Sequence, residues 1–184
     1  MLAPRALQSY AFVMALIGRI RRIGLGAAVL TLLCVPAVAP ARDSLGVFSD
    51  WGAFRDSAVP RCYAIAKPSA SRAARTFDPF ASVGTWPKRK VRNQFHIRLS
   101  RKTAASSAIT LRIGSRDFAL TGSGGNAWAR DRSMDAAIVA AMRSASRMTV
   151  SARDENGRSF SNRYNLAGAA TAMDAATVGC ARIR

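Results

Sequence analysis

Histidine and cysteine, which carry much enzyme catalysis and transition-metal binding, are scarce in this sequence. The 184 residues include one histidine, His96, and three cysteines. A structural zinc site needs four ligands, usually at short regular spacing, and no CxxC pair occurs. A serine hydrolase would have to use His96 as its base, and the sequence has no GxSxG motif. We therefore expect no metal site, no catalytic residues and no cofactor.

A phosphate-binding loop is also missing. The glycine-rich stretch TGSGGNAW at 121–128 lacks the lysine that contacts phosphates in such loops, and no helix opens directly from it. We interpret it as a flexible connection.

The first 41 residues have the organisation of a secretory signal peptide. Three arginines precede an uncharged run of 16 residues at 23–38, and the small-x-small sequence APA follows at 39–41. The run is shorter than the ~20 apolar residues of a membrane-spanning helix, and Pro36 would interrupt a helix. We predict cleavage before Arg42, which leaves a single exported domain at residues 42–184. A retained membrane anchor is the alternative.

Cleavage would leave two cysteines, Cys62 and Cys180, in a mature chain of 143 residues. An even number of cysteines in an exported protein predicts a disulfide, and two cysteines allow one pairing. The bridge would enclose 117 residues. Chain-entropy models give a loop of that size about 4 to 5 kcal/mol of stabilisation. Free structural cysteines remain an alternative, as does a catalytic thiol with His96 as its base.

Alternating apolar residues predict strands in much of the mature chain. Phe95, Ile97 and Leu99 point to one side of a strand, which places His96 on the opposite, solvent-facing side. The same alternation through residues 109–120, broken by a glycine and a serine, predicts a β-hairpin. Shorter apolar segments predict further strands, one of them within 46–58.

Helical spacing appears twice. Met134, Ile138, Ala141 and Met142 follow i, i+4, i+7, i+8, and an aspartate or serine is available as the N-cap. The alanine-rich segment at 168–182 predicts a C-terminal helix that carries the last cysteine. With about six to eight short strands, the sequence predicts a mainly β (β-rich α+β) fold. This would be an antiparallel sheet or sandwich with one inserted helix and one C-terminal helix.

The order of these segments resembles that of a known family. The chain has WGAF at 51–54, CYAIA at 62–66, a helix containing AAIVAAMRSAS followed by an MTV strand, and a last helix ending in GCA. This order resembles the invasion-associated locus B family of exported alphaproteobacterial proteins over most of residues 47–182. The resemblance implies a small periplasmic or surface-associated β-rich domain, linked by its family name to host-cell invasion. Family members often carry more cysteines than the two kept here.

Acidic residues are few, with 10 Asp and Glu against 28 Lys and Arg. The mature chain would keep 24 of the basic residues and all 10 acidic ones, a net charge of +14. Such a charge attracts polyanions and membrane surfaces. The densest cluster is TWPKRKVR, where Lys88, Arg89, Lys90 and Arg92 lie beside Trp86. Alternatively, the arginines only solvate the surface of an arginine-rich chain.

Two functional hypotheses of different class follow. In the first, the protein is not an enzyme but an exported periplasmic or cell-surface domain. It would bind anionic envelope or host-surface components through Trp86 and the neighbouring cations. Export argues against a nucleic-acid partner. In the second, the protein is a small envelope hydrolase, which needs an acid or nucleophile within hydrogen-bond reach of His96. We predict the first.

Overall fold

Residues 42–181 are described by the computed structural model, and ten strands and two helices account for most of them. The predicted signal peptide lies outside the described residues. The strands are β1 (Asp43–Phe48), β2 (Trp51–Asp56), β3 (Arg61–Ala66), β4 (Phe80–Trp86), β5 (Val91–Arg98), β6 (Ile109–Ile113), β7 (Arg116–Ser123), β8 (Asn126–Trp128), β9 (Arg147–Arg153) and β10 (Ser159–Asn165). The helices are α1 (Arg132–Ser144) and α2 (Ala169–Ala181).

All ten strands belong to one curled antiparallel sheet, in the order β1-β2-β3-β4-β5-β8-β7-β6-β9-β10. The first five strands form a meander because each connects to its neighbour. After β8 the chain crosses through α1 and returns at β9, which pairs with β6. The mainly β fold with an inserted helix and a C-terminal helix is thus confirmed.

The strand count exceeds the expected six to eight for two reasons. Residues 46–58, predicted to hold one strand, contain the end of β1 and all of β2, separated by a tight turn. The glycine-rich stretch at 121–128 is not a flexible connection, because it pairs the end of β7 with β8. Its turn is made by Gly124 and Gly125, whose φ values of 59° and 92° suit glycine and are rare for other residues.

The core lies on the inner face of the sheet, beneath both helices. The predicted alternation in β5 is confirmed, since Phe95, Ile97 and Leu99 are fully buried. Buried residues of the other strands belong to the same core, among them Trp51, Leu111, Met148, Val150 and Tyr164. Because the strands alternate, every second residue faces outward, and the outer face of the sheet is free for other roles.

Two aspartates fix the beginning of helix α1, one by capping the helix and the other by bonding to the sheet. Asp131 is the N-cap, and its carboxylate accepts a hydrogen bond of 2.9 Å from the Met134 N–H. Asp135, one turn later, is buried and accepts a hydrogen bond of 2.7 Å from the Phe95 N–H of β5. Burial raises the pKa of the Asp135 carboxyl, and the nearby Asp131 charge raises it further. The Asp135 side chain therefore links α1 to the backbone of β5 through a buried hydrogen bond.

Helix α2 covers β1 to β4 and is bonded covalently to β3. Its inner face consists mainly of alanines, Ala169, Ala172 and Ala176, which let the helix approach the sheet closely. Near its end Cys180 forms a disulfide with Cys62, with a Cα–Cα distance of 5.6 Å. The predicted cysteine pairing is thus present in the structure. Neither helix within residues 42–181 is long and apolar enough to span a membrane.

We expect the Cys62→Ser/Cys180→Ser double variant of the mature chain to fold less stably than the wild type. The bond joins residues 118 apart, and chain-entropy models give such a loop about 4 to 5 kcal/mol. Urea unfolding under oxidising conditions measures the loss. Repeating it on both proteins under reducing conditions is the control, because reduction should bring the wild type towards the variant. Equal stability of the two oxidised proteins would contradict a structural role for the bond.

Asp135 should make the stability of the protein depend on pH in a defined direction. Its folded-state pKa is raised, so the folded state holds the proton at pH values where the unfolded chain, with a pKa of about 3.9, has lost it. Stability from this group therefore falls as pH rises above about 4. Asp135→Asn keeps the acceptor oxygen but cannot ionise. Its stability relative to the wild type should increase from about pH 4 to pH 7, measured by urea unfolding at each pH.

Asp135→Ala is the matched control for the hydrogen bond. It removes the charge and also the acceptor, which leaves the buried Phe95 N–H unpaired at a cost of about 1 to 3 kcal/mol. The stability difference between Asp135→Asn and the wild type should change with pH. A constant difference would show that burial does not raise the pKa of the Asp135 carboxyl.

Candidate functional site

The five residues predicted to bind polyanions all lie at one tip of the sheet, in the hairpin that joins β4 to β5. Pro87–Arg89 form a short 3-10 turn, whose first residue suits proline because its N–H needs no partner there. Lys90 closes the turn with a φ of 55°, and its N–H donates to the Pro87 carbonyl. The side chains of Lys88, Arg89, Lys90 and Arg92 are exposed. We call this group the hairpin cations.

Trp86 stands at the root of this hairpin. Its indole lies over Gly84, two residues earlier on the same strand, and a Cβ at Gly84 would come within 2.6 Å of the ring. Glycine is therefore required for the indole to adopt this position. The partly buried ring forms the apolar part of the surface beside the four charges.

The hairpin cations form no ion pairs with carboxylates in the described part of the chain. Eight other basic residues do so: Arg55, Arg61, Arg101, Lys102, Arg112, Arg130, Arg143 and Arg158. Most of the described acidic side chains are thus partnered elsewhere. The positive charge at the hairpin tip remains uncompensated, which makes it the local focus of the net charge.

A cavity of about 360 Å³ lies beside the hairpin, against the end of α2. Lys90 and Arg92 line it together with Thr85 and Thr177. The Thr85 hydroxyl accepts a hydrogen bond of 3.2 Å from the Asn93 N–H, which fixes the cavity wall to β5. The Thr177 hydroxyl donates to the Met173 carbonyl at 2.8 Å. The donors available to a ligand are therefore Lys90, Arg92 and the Thr85 hydroxyl. Two cations and one hydroxyl group around one opening suit a phosphate or carboxylate group.

Sequence reasoning missed an aromatic cluster on the outer face of the sheet next to Trp86, in which Tyr63 is buried by its neighbours. Tyr63 is paired directly with Gly84, and its ring centroid lies 5.8 Å from that of Phe54. The Arg61 guanidinium sits 4.8 Å above the Tyr63 ring. The glycine-x-aromatic spacing of GAF at 52–54, repeated in the GTW segment, could have indicated outward-facing rings.

His96 also lies on the outer face, as predicted, but two rings cover it. Its imidazole stacks on Trp128 at a centroid distance of 4.9 Å and meets the edge of Phe80 at 5.4 Å. The Nε2 atom is 3.2 Å from the Asn126 Oδ1 atom. Burial lowers the pKa of His96, and Arg98 lowers it further, whereas the Asn126 hydrogen bond raises it. Within residues 42–181, the side-chain partner of the imidazole is an amide and not a carboxylate.

Metal coordination finds no support in the described residues. No group of three or more His, Cys, Asp or Glu side chains within 42–181 is arranged to hold an ion. Both cysteines of this region are consumed by the disulfide. The cysteine alternatives left open by the sequence, a free thiol or a thiolate paired with His96, are therefore replaced by a covalent bond.

The family model described as "Invasion associated locus B (IalB) protein" matches residues 57–177, which is more than half of the chain. The match spans β3 to β10, including the β4–β5 hairpin, and most of α2. No curated protein and no solved structure matches.

We expect Phe80→Ala to raise the pKa of His96 towards about 6.5, its value in water. Removing the ring opens one side of the imidazole to solvent, and desolvation is the main cause of the lowered pKa. Because His96 is the only histidine of the chain, its titration can be followed by NMR as a single imidazole signal. Phe54→Ala, on the same face but paired with Tyr63, is the control and should leave this pKa unchanged. An unchanged pKa in Phe80→Ala would contradict the assigned cause.

Proposed function

Because the chain belongs to the invasion-associated locus B family, a family of secreted or envelope-associated proteins, we propose that it is a non-catalytic exported domain that binds anionic surfaces. The contact is made by Trp86 and the hairpin cations. Its ligands are anionic groups of the envelope or of a host-cell surface, such as phosphate-bearing head groups.

One observation carries this proposal: four exposed cations occupy one hairpin tip without a carboxylate partner in residues 42–181. A surface that served only for solvation would gain from neutralising part of this charge, as the chain does at Arg112 and Asp117. Several cations clustered at one hairpin tip each add to the attraction to an anionic surface.

Trp86 adds an apolar component to the contact. Tryptophan is enriched where a protein meets the interface of a membrane, because its ring is apolar and its N–H can still hydrogen-bond. The neighbouring cavity adds a place for one anionic group between Lys90 and Arg92. Electrostatic attraction then brings the hairpin to the anionic surface, and the indole and the cavity determine the orientation of the bound domain.

The non-catalytic part of the proposal is supported by the surroundings of His96. The alternative hydrolase would need an orienting acid or a nucleophile within hydrogen-bond reach of His96. The imidazole is instead hydrogen-bonded to Asn126, stacked on Trp128 and covered by the edge of Phe80. This arrangement suits a rigid surface better than proton transfer.

Replacing all four hairpin cations by glutamine should weaken binding to vesicles that contain phosphatidylglycerol. Each basic residue near an anionic membrane contributes about 1 kcal/mol, so we expect a loss of about 100-fold or more. Binding is measured by vesicle sedimentation over a range of salt concentrations, with lipopolysaccharide as a second probe. Wild-type binding should fall as salt rises, and the variant should show a weaker salt dependence.

A matched control changes the same amount of charge elsewhere. Arg72, Arg116, Arg132 and Arg147 are exposed and form no ion pair within the described residues. Replacing these four by glutamine should reduce binding only slightly. Equal losses in the two variants would mean that net charge, and not the hairpin, mediates binding, and the proposal would be wrong.

A further inference from the structure

The last strand of the sheet, β10, has an edge that is only partly used. β9 occupies one side of β10. On the other side the Arg163 carbonyl accepts a hydrogen bond of 2.8 Å from the Ser69 N–H, and the Asn165 carbonyl accepts one of 2.9 Å from the Trp51 indole. Both acceptors thus point away from β9.

The remaining groups of this edge follow from strand geometry. In an antiparallel strand, alternate residues direct both backbone groups to the same edge. The register of β10 with β9 has no bulge, so Ser161 and Ser159 point the same way as Arg163. Within residues 42–181, no hydrogen bond reaches the outward N–H and C=O groups of Ser161.

A loop crosses this edge without covering it. The segment at 67–79 is bound to β10 through Ser69, and further along Thr76 and Phe77 donate backbone hydrogen bonds to Ser100. Between these two attachments a cavity of about 330 Å³ separates the loop from the edge at Ser159–Arg163. This volume is near the lower end of the roughly 300 to 1,000 Å³ found for ligand sites.

The lining of the cavity is positive and rich in small hydroxyl side chains. Arg75, Arg101 and Arg163 line it, and no carboxylate does. Arg101 is paired with Asp154 at 3.0 Å, so the net charge comes from Arg75 and Arg163. Serines at both walls leave room for a polypeptide backbone to approach closely.

We propose that this edge is a docking site for an extended acidic peptide segment of another protein, which adds a strand to the sheet beside β10. Its main chain pairs with the outward groups of Ser159 and Ser161, and its carboxylates face Arg75 and Arg163. Alternating unpaired N–H and C=O groups at strand spacing match a polypeptide. Lipid head groups and glycans do not offer that pattern. The site shares no residue with the hairpin cations.

The test uses a blocked, fluorescein-labelled octapeptide of alternating Glu and Val, with binding to the mature chain followed by fluorescence anisotropy. Two analogues carry N-methyl groups on either the odd or the even amides, because the register of the added strand is not fixed in advance. Each analogue has the same charge as the parent. At least one analogue should bind about tenfold or more weakly, since it loses several backbone hydrogen bonds. Equal binding of all three peptides would overturn the proposal, leaving charge alone as the attraction.

Variants of the protein locate the binding. Ser161→Pro removes the outward N–H but no hydrogen bond to β9, a position where strands tolerate proline. We expect it to bind the parent peptide about tenfold more weakly, whereas Ser161→Ala should bind as the wild type does. Thermal unfolding checks that Ser161→Pro is folded. If it is not, the N-methylated peptides decide the question with the wild-type protein.

Two further outcomes would overturn the proposal. If peptide binding disappears when the hairpin cations are replaced by glutamine, the peptide is bound there and not at β10. If the wild type forms a dimer that Ser161→Pro abolishes, the edge belongs to a second copy of this chain. Sedimentation velocity distinguishes the dimer from the peptide complex.

Discussion

The bond between Cys62 and Cys180 is the constraint on which the site depends. Cys62 lies in β3 directly opposite Thr85 of β4, the residue before Trp86. The disulfide therefore fixes the end of α2 at the root of the β4–β5 hairpin, and Cys180 and Lys90 line the same cavity. The alanine face of α2 allows this close approach, because larger side chains would hold the helix away from the sheet. The disulfide and the close packing of α2 on the sheet thus determine what lies beside the hairpin cations.

The two faces of the sheet have different tasks. The inner face is closed by both helices, with Asp135 of α1 buried against β5 as a polar tie in an apolar layer. A buried acceptor of this kind fixes the position of the helix, since its partner would otherwise remain unsatisfied. The outer face instead gathers aromatic rings and guanidinium groups across neighbouring strands. Because the helices hold the strands in place from the inner face, the rings and guanidinium groups of the outer face keep fixed positions relative to one another.

Strand alternation, helical spacing and the number of cysteines can be read from short stretches or simple counts, and the features that depend on them were predicted from the sequence. The alternation of Phe95, Ile97 and Leu99 indicated their burial, helical spacing indicated α1 with an aspartate or a serine as its cap, and the cysteine count indicated the disulfide. The hairpin cations were found because they are adjacent in sequence. The glycine-rich stretch was misread because a two-residue glycine turn between short strands has the same composition as a flexible linker.

Other features depend on which strands become neighbours, and the sequence does not contain that information locally. The pairing of β5 with β8, and of β6 with β9, follows from the crossover through α1. Only this order brings Trp128 against His96. The open edge of β10 and the loop that crosses it are likewise products of how the sheet curls, so no motif marks them.

The long loop closed by the disulfide also sets the order of events as the protein is made. Ribosomes add about 5 to 20 residues per second, so the 118 residues from the one after Cys62 to Cys180 take roughly 6 to 24 s to synthesise. Cys62 therefore cannot form its native bond during that interval, and β3 to β10 and most of α2 must exist before its partner is added. The disulfide can therefore form only late, after all ten strands have been made.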